Sequence, residues 1–124
     1  MILQLYLHFP FCKRKCLYCD FVSCAAGEDE IAAYCRALES EIRTAGACFP
    51  DAQVSTVFLG GGTPSVVPAP LMESILRTLR VSFSFRKDVE FTSEANPGTL
   101  TEAWLDTLQA AGMNRLSLGV QAAQ

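Results

Sequence analysis

Short apolar runs alternate with amphipathic segments along nearly the whole chain, and this alternation limits the available folds more than any other feature. The strand pattern predicts four strands, at Ile2 to His8, Val54 to Leu59, Val89 to Glu94 and Arg115 to Gly119. Helical periodicity predicts three helices between them, from Glu28 to Gly46, Pro68 to Val81 and Thr99 to Gly112. A regular strand and helix alternation is typical of an α/β fold, with a parallel sheet and crossover helices.

Local signals also predict where two of these helices end or begin. Gly46 is expected to stop the first helix, because glycine is common just past a helix C-terminus. Thr99 and Glu102 have the spacing of a capping box, which predicts the start of the third helix. Cys35 falls on the apolar face of the first helix, and we expect a buried free thiol there.

The length of the chain suits part of a larger α/β unit. It has 124 residues and ends five residues after the fourth predicted strand. A barrel of eight strand and helix units needs roughly 200 residues or more. We therefore expect residues 1–124 to form the N-terminal portion of a partial barrel, with the remainder of the barrel and any C-terminal domain absent from this sequence.

Charge and hydropathy exclude two classes of partner. Ten basic and thirteen acidic residues give a net charge of −3, and no basic run could follow a phosphate backbone, which argues against nucleic acid. No apolar stretch approaches the roughly 20 residues of a membrane span, and the N-terminus lacks the features of a signal peptide. The sequence predicts a cytoplasmic protein.

Three of the six cysteines lie within eight residues, directly after the first strand, in the run Cys12-Lys-Arg-Lys-Cys16-Leu-Tyr-Cys19. Such crowding suits a metal better than separate disulfides, and thiolates select iron–sulfur clusters, Zn²⁺ or Cu(I). Three cysteines on a cube of four irons leave one iron open to a small molecule. A structural zinc site completed by His8 or Cys24 remains the alternative.

Two further features lie where parallel strands end, which is the edge at which such sheets bind ligands. The triplet Gly60-Gly61-Gly62 and Thr63 end the second strand, and glycine lets a ligand approach the backbone closely, although a tight turn would need the same residues. Glu94 closes an apolar strand and could accept hydrogen bonds from a ligand or simply face solvent.

Four motifs in succession resemble those of one family. They are Tyr6-Leu-His-Phe-Pro-Phe-Cys12 with the cysteine triplet, Phe58-Leu-Gly-Gly-Gly-Thr-Pro-Ser65, Glu94-Ala-Asn-Pro-Gly-Thr99 and Asn114-Arg-Leu-Ser-Leu-Gly-Val-Gln121. This order is similar to that of the oxygen-independent coproporphyrinogen III oxidase-like family within the radical S-adenosylmethionine (SAM) superfamily. The resemblance covers nearly the whole chain and implies a partial (β/α) barrel.

The resemblance also implies roles for individual residues. Cys12, Cys16 and Cys19 would hold a [4Fe–4S] cluster whose fourth iron chelates the amino and carboxylate groups of SAM, and the reduced cluster would cleave SAM to a 5′-deoxyadenosyl radical. Gly61, Gly62 and Thr63 would contact the amino acid moiety of SAM. The other implied cofactor-binding residues are Tyr6 near the sulfonium, Tyr18 in the cysteine loop, Glu94 and Gln121. His8 matches the histidine of the first strand in that family, and packing with a hydrogen bond is favoured over ligation.

Within the family, this chain is closest to the haem chaperones of the HemW type. It continues Cys19-Asp-Phe-Val-Ser23, as they do, whereas the oxidases continue Cys-Gly-Cys, and its first strand starts at the initiator methionine. The implied partners are SAM, haem or another tetrapyrrole, and an electron donor such as a flavodoxin or ferredoxin. The alternative is an oxidoreductase of the coproporphyrinogen dehydrogenase type. The chain departs from the family pattern at Leu17, Val22 and Ala122-Ala123.

Overall fold

Four parallel strands form the sheet around which the chain is organised. The structure, a computed structural model, describes residues 1–12, 24–25 and 27–119. The elements are β1 (Ile2–Phe9), β2 (Phe11–Cys12), β3 (Cys24–Ala25), α1 (Glu28–Cys48), β4 (Gln53–Gly61), a 3-10 turn (Pro64–Val66), α2 (Ala69–Ser82), β5 (Ser84–Ala95), α3 (Glu102–Ala110) and β6 (Arg115–Leu118).

The strand order confirms the predicted α/β architecture. The sheet runs β1-β4-β5-β6 and every neighbouring pair is parallel, so each long strand lies beside the next one along the chain. Successive βα units of a barrel have this arrangement. All four predicted strands and all three predicted helices are present, although their ends differ.

The two faces of the sheet are buried to different degrees. On one face, which we call the covered face, apolar side chains of the strands form a single core with the inner sides of the helices. Its strand residues include Leu7, Phe9, Val57, Leu59 and Phe91. The opposite face, which we call the open face, carries the alternate residues of the same strands, including Gln4, Tyr6, Thr56, Phe58 and Glu90. Period-two alternation within each strand separates the two sets.

The first helix corrects one prediction, because α1 runs through Gly46 to Cys48. Gly46 is buried inside the helix, where any side chain would collide with the backbone carbonyl of Ser82 at the end of α2. This glycine therefore permits a close approach of two helices and does not end the first one. Cys35 is fully buried on α1, as predicted.

The third helix corrects a second prediction, since its N-cap is Thr101 and not Thr99. The Thr101 hydroxyl accepts a hydrogen bond from the backbone N–H of Trp104 at 3.1 Å, which satisfies one of the free amide groups of the first turn. Thr99 forms other contacts, which are described below. The strand before this helix is also longer than predicted, because β5 begins at Ser84 and includes the charged stretch 86–88.

Two short strands close the base of the segment that carries the cysteines. In β2 and β3, Phe11 pairs with Cys24 and Cys12 pairs with Ala25, in parallel. The backbones of Cys12 and Cys24, the described residues on either side of 13–23, therefore belong to adjacent strands. Within the described ranges, no helix is long and apolar enough to cross a membrane.

Candidate functional site

The carboxyl ends of β1, β4 and β5 bring together most of the described residues that the sequence singled out. These strands end at Phe9, Gly61 and Ala95, side by side in the sheet. A crevice at this edge is where parallel sheets bind ligands, because loops and helix N-termini converge there.

Two of the three glycines make room for polar side chains from the neighbouring strands. A Cβ atom on Gly60 would lie 2.7 Å from Oε1 of Glu94, and one on Gly61 would lie 2.6 Å from Nδ1 of His8. Gly61 also has φ of +109°, a conformation that other residues rarely adopt. The turn could not be built with side chains at these positions while Glu94 and His8 keep their places.

The third glycine holds the start of the cysteine segment. A side chain on Gly62 would collide with the backbone carbonyl of Phe11, which directly precedes Cys12. The Gly62 N–H donates to the carbonyl of Phe9 at 2.7 Å, and the Thr63 N–H donates to the carbonyl of Phe11 at 2.6 Å. The turn after β4 is thus bound through its backbone to the chain that enters the cysteine run.

Glu94 crosses the space above Gly60 and accepts a hydrogen bond from the backbone N–H of Gly61, with 3.2 Å between Oε1 and N. An ionised carboxylate offers about four acceptor positions on its two oxygens, so this single bond leaves capacity for a ligand. The bond orients a negative charge toward the glycine turn. The strand-end glutamate is therefore only partly exposed and bound to the turn.

A cavity of about 190 Å³ lies between these groups. Four of the predicted cofactor-binding residues line it, namely Gly61, Gly62, Thr63 and Glu94. The other lining residues lie at the carboxyl ends of β5 and β6: Ala95, Asn96, Ser117 and Gly119. Its lining contains the Glu94 carboxylate and the side chains of Thr63, Asn96 and Ser117. Such a lining suits a small polar ligand with an ammonium group, because a carboxylate accepts strong hydrogen bonds from a cation.

Among the predicted cofactor-binding residues whose side chains the structure describes, Tyr6 lies outside this cavity. Its side chain is 58% exposed on the open face and stacks on Phe58, with 5.9 Å between the ring centroids. Its hydroxyl lies 3.3 Å from Nδ1 of His8, and both residues border a separate cleft along β1. His8 therefore has a hydrogen-bonding partner, as expected, but its side chain is exposed and not packed.

Burial shifts the pKa of two groups on α1 beneath the β1 edge. The Tyr34 hydroxyl donates to the backbone carbonyl of His8, and burial, followed by the nearby Glu41, raises the pKa of Tyr34. Burial also raises the pKa of the Cys35 thiol to about 11. Cys35 is thus a poor nucleophile, and its thiol belongs to the core.

Several predicted site residues lie outside the described part of the chain. Cys16, Cys19, Tyr18 and Gln121 are not among the described residues, and only the backbone of Cys12 is described. Among the side chains that the structure describes, no group of three or more acidic, histidine or cysteine residues could hold a metal ion. The assignments of these five residues stay predictions.

The sequence analysis did not identify three polar residues that connect the walls of the cavity. Ser65, Asn96 and Thr99 are joined by hydrogen bonds between the loop after β4 and the loop after β5. Their only signal in the sequence is position, since each closes or lies within a motif that also contains a predicted ligand residue. Which hydroxyl forms a hydrogen bond with which backbone amide depends on the conformations of the two loops.

Comparison with known proteins agrees with this geometry. The family model of the radical SAM superfamily matches residues 6–124. The chain is 42% identical over 120 residues to the heme chaperone HemW of Escherichia coli, covering 96% of this chain and 32% of that protein. It is 36% identical over 121 residues to the oxygen-independent coproporphyrinogen III oxidase of Paracoccus denitrificans, covering 96% of this chain and 27% of that protein.

A solved structure gives the same result at the level of the fold. The coproporphyrinogen III oxidase HemN of Escherichia coli, described as a radical SAM enzyme, superposes with a TM-score of 0.87 at 35% identity. The match covers 97% of this chain and 28% of that one. This chain thus spans about a third or less of the length of the relatives it matches.

Proposed function

This chain belongs to the radical SAM superfamily, within its HemW and HemN-like branch, and we propose that it supplies the cofactor-binding part of a haem chaperone. In this proposal, Cys12, Cys16 and Cys19 hold a [4Fe–4S] cluster, and the cavity beside Glu94 binds SAM. Tetrapyrrole binding and transfer belong to the whole protein.

One observation supports the SAM site above all others, namely the hydrogen bond from the Gly61 N–H to Glu94 within a cavity whose Gly62 and Thr63 contact Phe11, the residue before Cys12. It joins two motifs separated by 33 residues in the sequence. A glycine turn that only reverses the chain does not require a carboxylate beside it. A glutamate that only faces solvent does not require a glycine next to its side chain. Their combination favours ligand binding over the separate structural interpretations.

The donor set fits an iron–sulfur cluster. Three cysteines supply soft thiolates, and Lys13, Arg14 and Lys15 between the first two supply positive charge that offsets the charge of such a cluster. The described residues contribute the rigid entry to this segment, since the Thr63 and Gly62 amides fix the backbone of residues 9–11. When bound, the cluster supplies an electron for the reductive cleavage of SAM.

The residues around the cavity would hold the amino acid end of SAM close to the cysteine segment. Glu94 is positioned to accept a hydrogen bond from the SAM ammonium group. The N–H groups of Gly61, Gly62 and Thr63 hold the Glu94 carboxylate and the backbone of residues 9–11 in place around the ligand. Tyr6 and Phe58 extend an aromatic surface on the open face of the neighbouring strands. Their proposed role is to exclude water from the side of the sulfonium.

The chaperone is favoured over the oxidase by the continuation of the cysteine motif, Cys19-Asp-Phe-Val-Ser23. The HemW of Escherichia coli is 42% identical, but other HemW relatives at 33–38% overlap with oxidases at 36–38%, so identity favours the chaperone only slightly. The structural likeness to the oxidase HemN favours the second candidate function, the oxidative decarboxylation of coproporphyrinogen III. We propose a cytoplasmic protein that receives electrons from a flavodoxin or ferredoxin in either case.

Three measurements on the protein made from its complete reading frame test this proposal. Anaerobic reconstitution should give about four iron and four sulfide per chain, whereas stoichiometric zinc without sulfide would establish the structural zinc site instead. Incubation of the reconstituted protein with haem should give a stable complex. Formation of protoporphyrinogen from coproporphyrinogen III would instead establish the oxidase.

A further inference from the structure

Two loops that are distant in sequence form opposite walls of the proposed SAM cavity. The end of β4 and the loop after it contribute Gly61 to Thr63, and the end of β5 and the loop after it contribute Ala95 and Asn96. Groups on opposite walls can bind one small ligand only if the distance between the walls is fixed. The hydrogen bond between Gly61 and Glu94 is one link between the walls, but in the proposed function the Glu94 carboxylate also binds the ligand.

A second link lies behind the cavity and forms a closed ring of hydrogen bonds. The backbone N–H of Asn96 donates to Oγ of Ser65 at 3.1 Å. Oγ of Ser65 lies 2.6 Å from Oγ1 of Thr99, and the Thr99 hydroxyl donates to the carbonyl of Asn96 at 3.2 Å. Because each hydroxyl has a single proton, Ser65 donates to Thr99 and the ring closes in one direction.

The position of the ring suits a role in fixing the two walls. Ser65 is 6% exposed, so its hydroxyl cannot exchange these partners freely for water. It follows the glycine turn by three residues, and Asn96 follows Glu94 by two. Hydrogen bonds that pass from one member of a ring to the next strengthen one another. The ring therefore connects the two loops, and of its three residues only Asn96 belongs to the described cavity lining.

We propose that Ser65 and Thr99 are positioning residues for SAM, which set the separation of the glycine turn from Glu94. This inference rests on the proposed function, because it assigns the ring to the same cavity. The hydroxyls contact each other and the Asn96 backbone, and they act on the ligand through the walls that they join. Loss of one hydroxyl should loosen the cavity while the cysteine segment stays intact.

The test compares three variants of the reconstituted protein made from its complete reading frame. Thr99→Val removes the acceptor for Ser65 at nearly constant volume, and Thr99→Ser keeps the hydroxyl. Thr78→Val is the matched control, because the buried Thr78 hydroxyl shares its one proton between the Glu39 carboxylate and the Ser74 carbonyl in the helix layer, each at 3.0 Å. The SAM dissociation constant, iron and sulfide content, and amide hydrogen exchange are measured for each.

We expect Thr99→Val to bind SAM about tenfold more weakly, the effect of losing roughly one hydrogen bond, with unchanged iron and sulfide. Thr99→Ser should bind within about twofold of the parent, and Thr78→Val should bind as the parent does even if its unfolding midpoint falls. Equal SAM binding by the parent and Thr99→Val would overturn the proposal. Equal weakening in Thr78→Val would overturn it as well, since the effect would then be general.

Hydrogen exchange separates failure of this inference from failure of the proposed function. Faster exchange of the Gly61 to Thr63 and Asn96 amides in Thr99→Val, but not in Thr78→Val, is expected whether or not SAM binds. If the parent protein does not bind SAM, the proposed function is wrong. If these amides exchange at the parent rate in Thr99→Val, the ring does not position the loops. Ser65→Ala provides a second variant of the same ring.

Discussion

The covered face and the open face of the sheet are built from alternate residues of the same strands, yet they differ in nearly every physical property. Leu59 on the covered face is completely buried, whereas Tyr6 on the open face is 58% exposed. The covered face packs against three helices in one apolar core. The open face carries Glu90, Arg115 and the stacked pair Tyr6 and Phe58.

The difference indicates which part of the molecule stabilises the fold and which part is available for chemistry. Burial of apolar surface on the covered face provides the main stabilising free energy. The open face and the adjoining strand ends hold charged groups that such a core would not tolerate, including Glu90 and Glu94. A ligand site at this edge can therefore vary without disturbing the core.

The largest expected effect is a difference in the loss of stability between substitutions at two neighbouring residues, one on each face of the sheet. Leu59→Ala should lower the free energy of unfolding by about 2–5 kcal/mol, because it leaves a cavity in the core. Phe58→Ala should cost less than half as much, since Phe58 is only partly buried and loses mainly its stacking on Tyr6. Chemical denaturation of both variants provides the measurement. Equal losses would show that the two faces are equally packed in the intact protein.

The next effect concerns the glycine turn. Gly62→Ala should cost roughly 1–3 kcal/mol, because its Cβ would meet the backbone of Phe11 and force the start of the cysteine segment to move. We also expect iron and sulfide incorporation to fall. Gly27→Ala is the matched control, since its Cβ would lie 3.6 Å from Oε1 of Glu30 in an exposed position. Full cluster assembly in Gly62→Ala would show that the contact with Phe11 does not position the segment.

A smaller effect is expected at the strand-end carboxylate. Glu94→Ala should weaken SAM binding about tenfold, because a charge-assisted hydrogen bond is lost, and Glu94→Gln should fall between it and the parent. Glu90→Ala is the control on the same strand, where an exposed ion pair with Arg115 is lost. Equilibrium dialysis with labelled SAM gives the three affinities. If Glu90→Ala weakens binding as much as Glu94→Ala, the position of Glu94 has no special role.

The smallest expected effect is a pH dependence of the free energy of unfolding, which arises from a thiol buried in the core of the covered face. Burial raises the pKa of the Cys35 thiol from 9.0 to about 11, so the folded state favours the neutral thiol. The associated stability is present below about pH 9 and is lost as the pH rises toward 11. The raised pKa of Tyr34 acts in the same direction. Denaturation curves between pH 8 and 11 should show a steeper decline for the parent than for Cys35→Ala.

Cys48→Ala is the matched control for this measurement, because Cys48 is exposed at the end of the same helix. It should leave the steeper alkaline decline of the parent in place. An equal slope in the parent and in Cys35→Ala would contradict the buried thiol account.

The fold could be predicted from sequence because its strands are apolar runs bounded by clear breaks, and its motifs fall where parallel strands end. The exact ends of the helices could not be predicted from the sequence, because tertiary contacts decide where each helix begins and ends. Gly46 allows Ser82 to approach inside α1, and the Thr99 hydroxyl is used by the ring with Ser65, leaving Thr101 as the cap. The adjacency of Gly61 and Glu94 could be expected from the parallel sheet, because both lie at the carboxyl ends of neighbouring strands. The hydrogen-bonded ring could not, because it depends on loop conformations that the pattern of apolar residues does not indicate.

The central claim is that one site combines the cysteine cluster with SAM bound beside the glycine turn and Glu94. Electron paramagnetic resonance of the anaerobically reconstituted, dithionite-reduced protein, recorded with and without SAM, tests it most directly. We predict that SAM changes the signal of the reduced cluster in the parent protein, and that Glu94→Ala requires about tenfold more SAM for the same change. A cluster signal that is identical with and without saturating SAM would contradict the account.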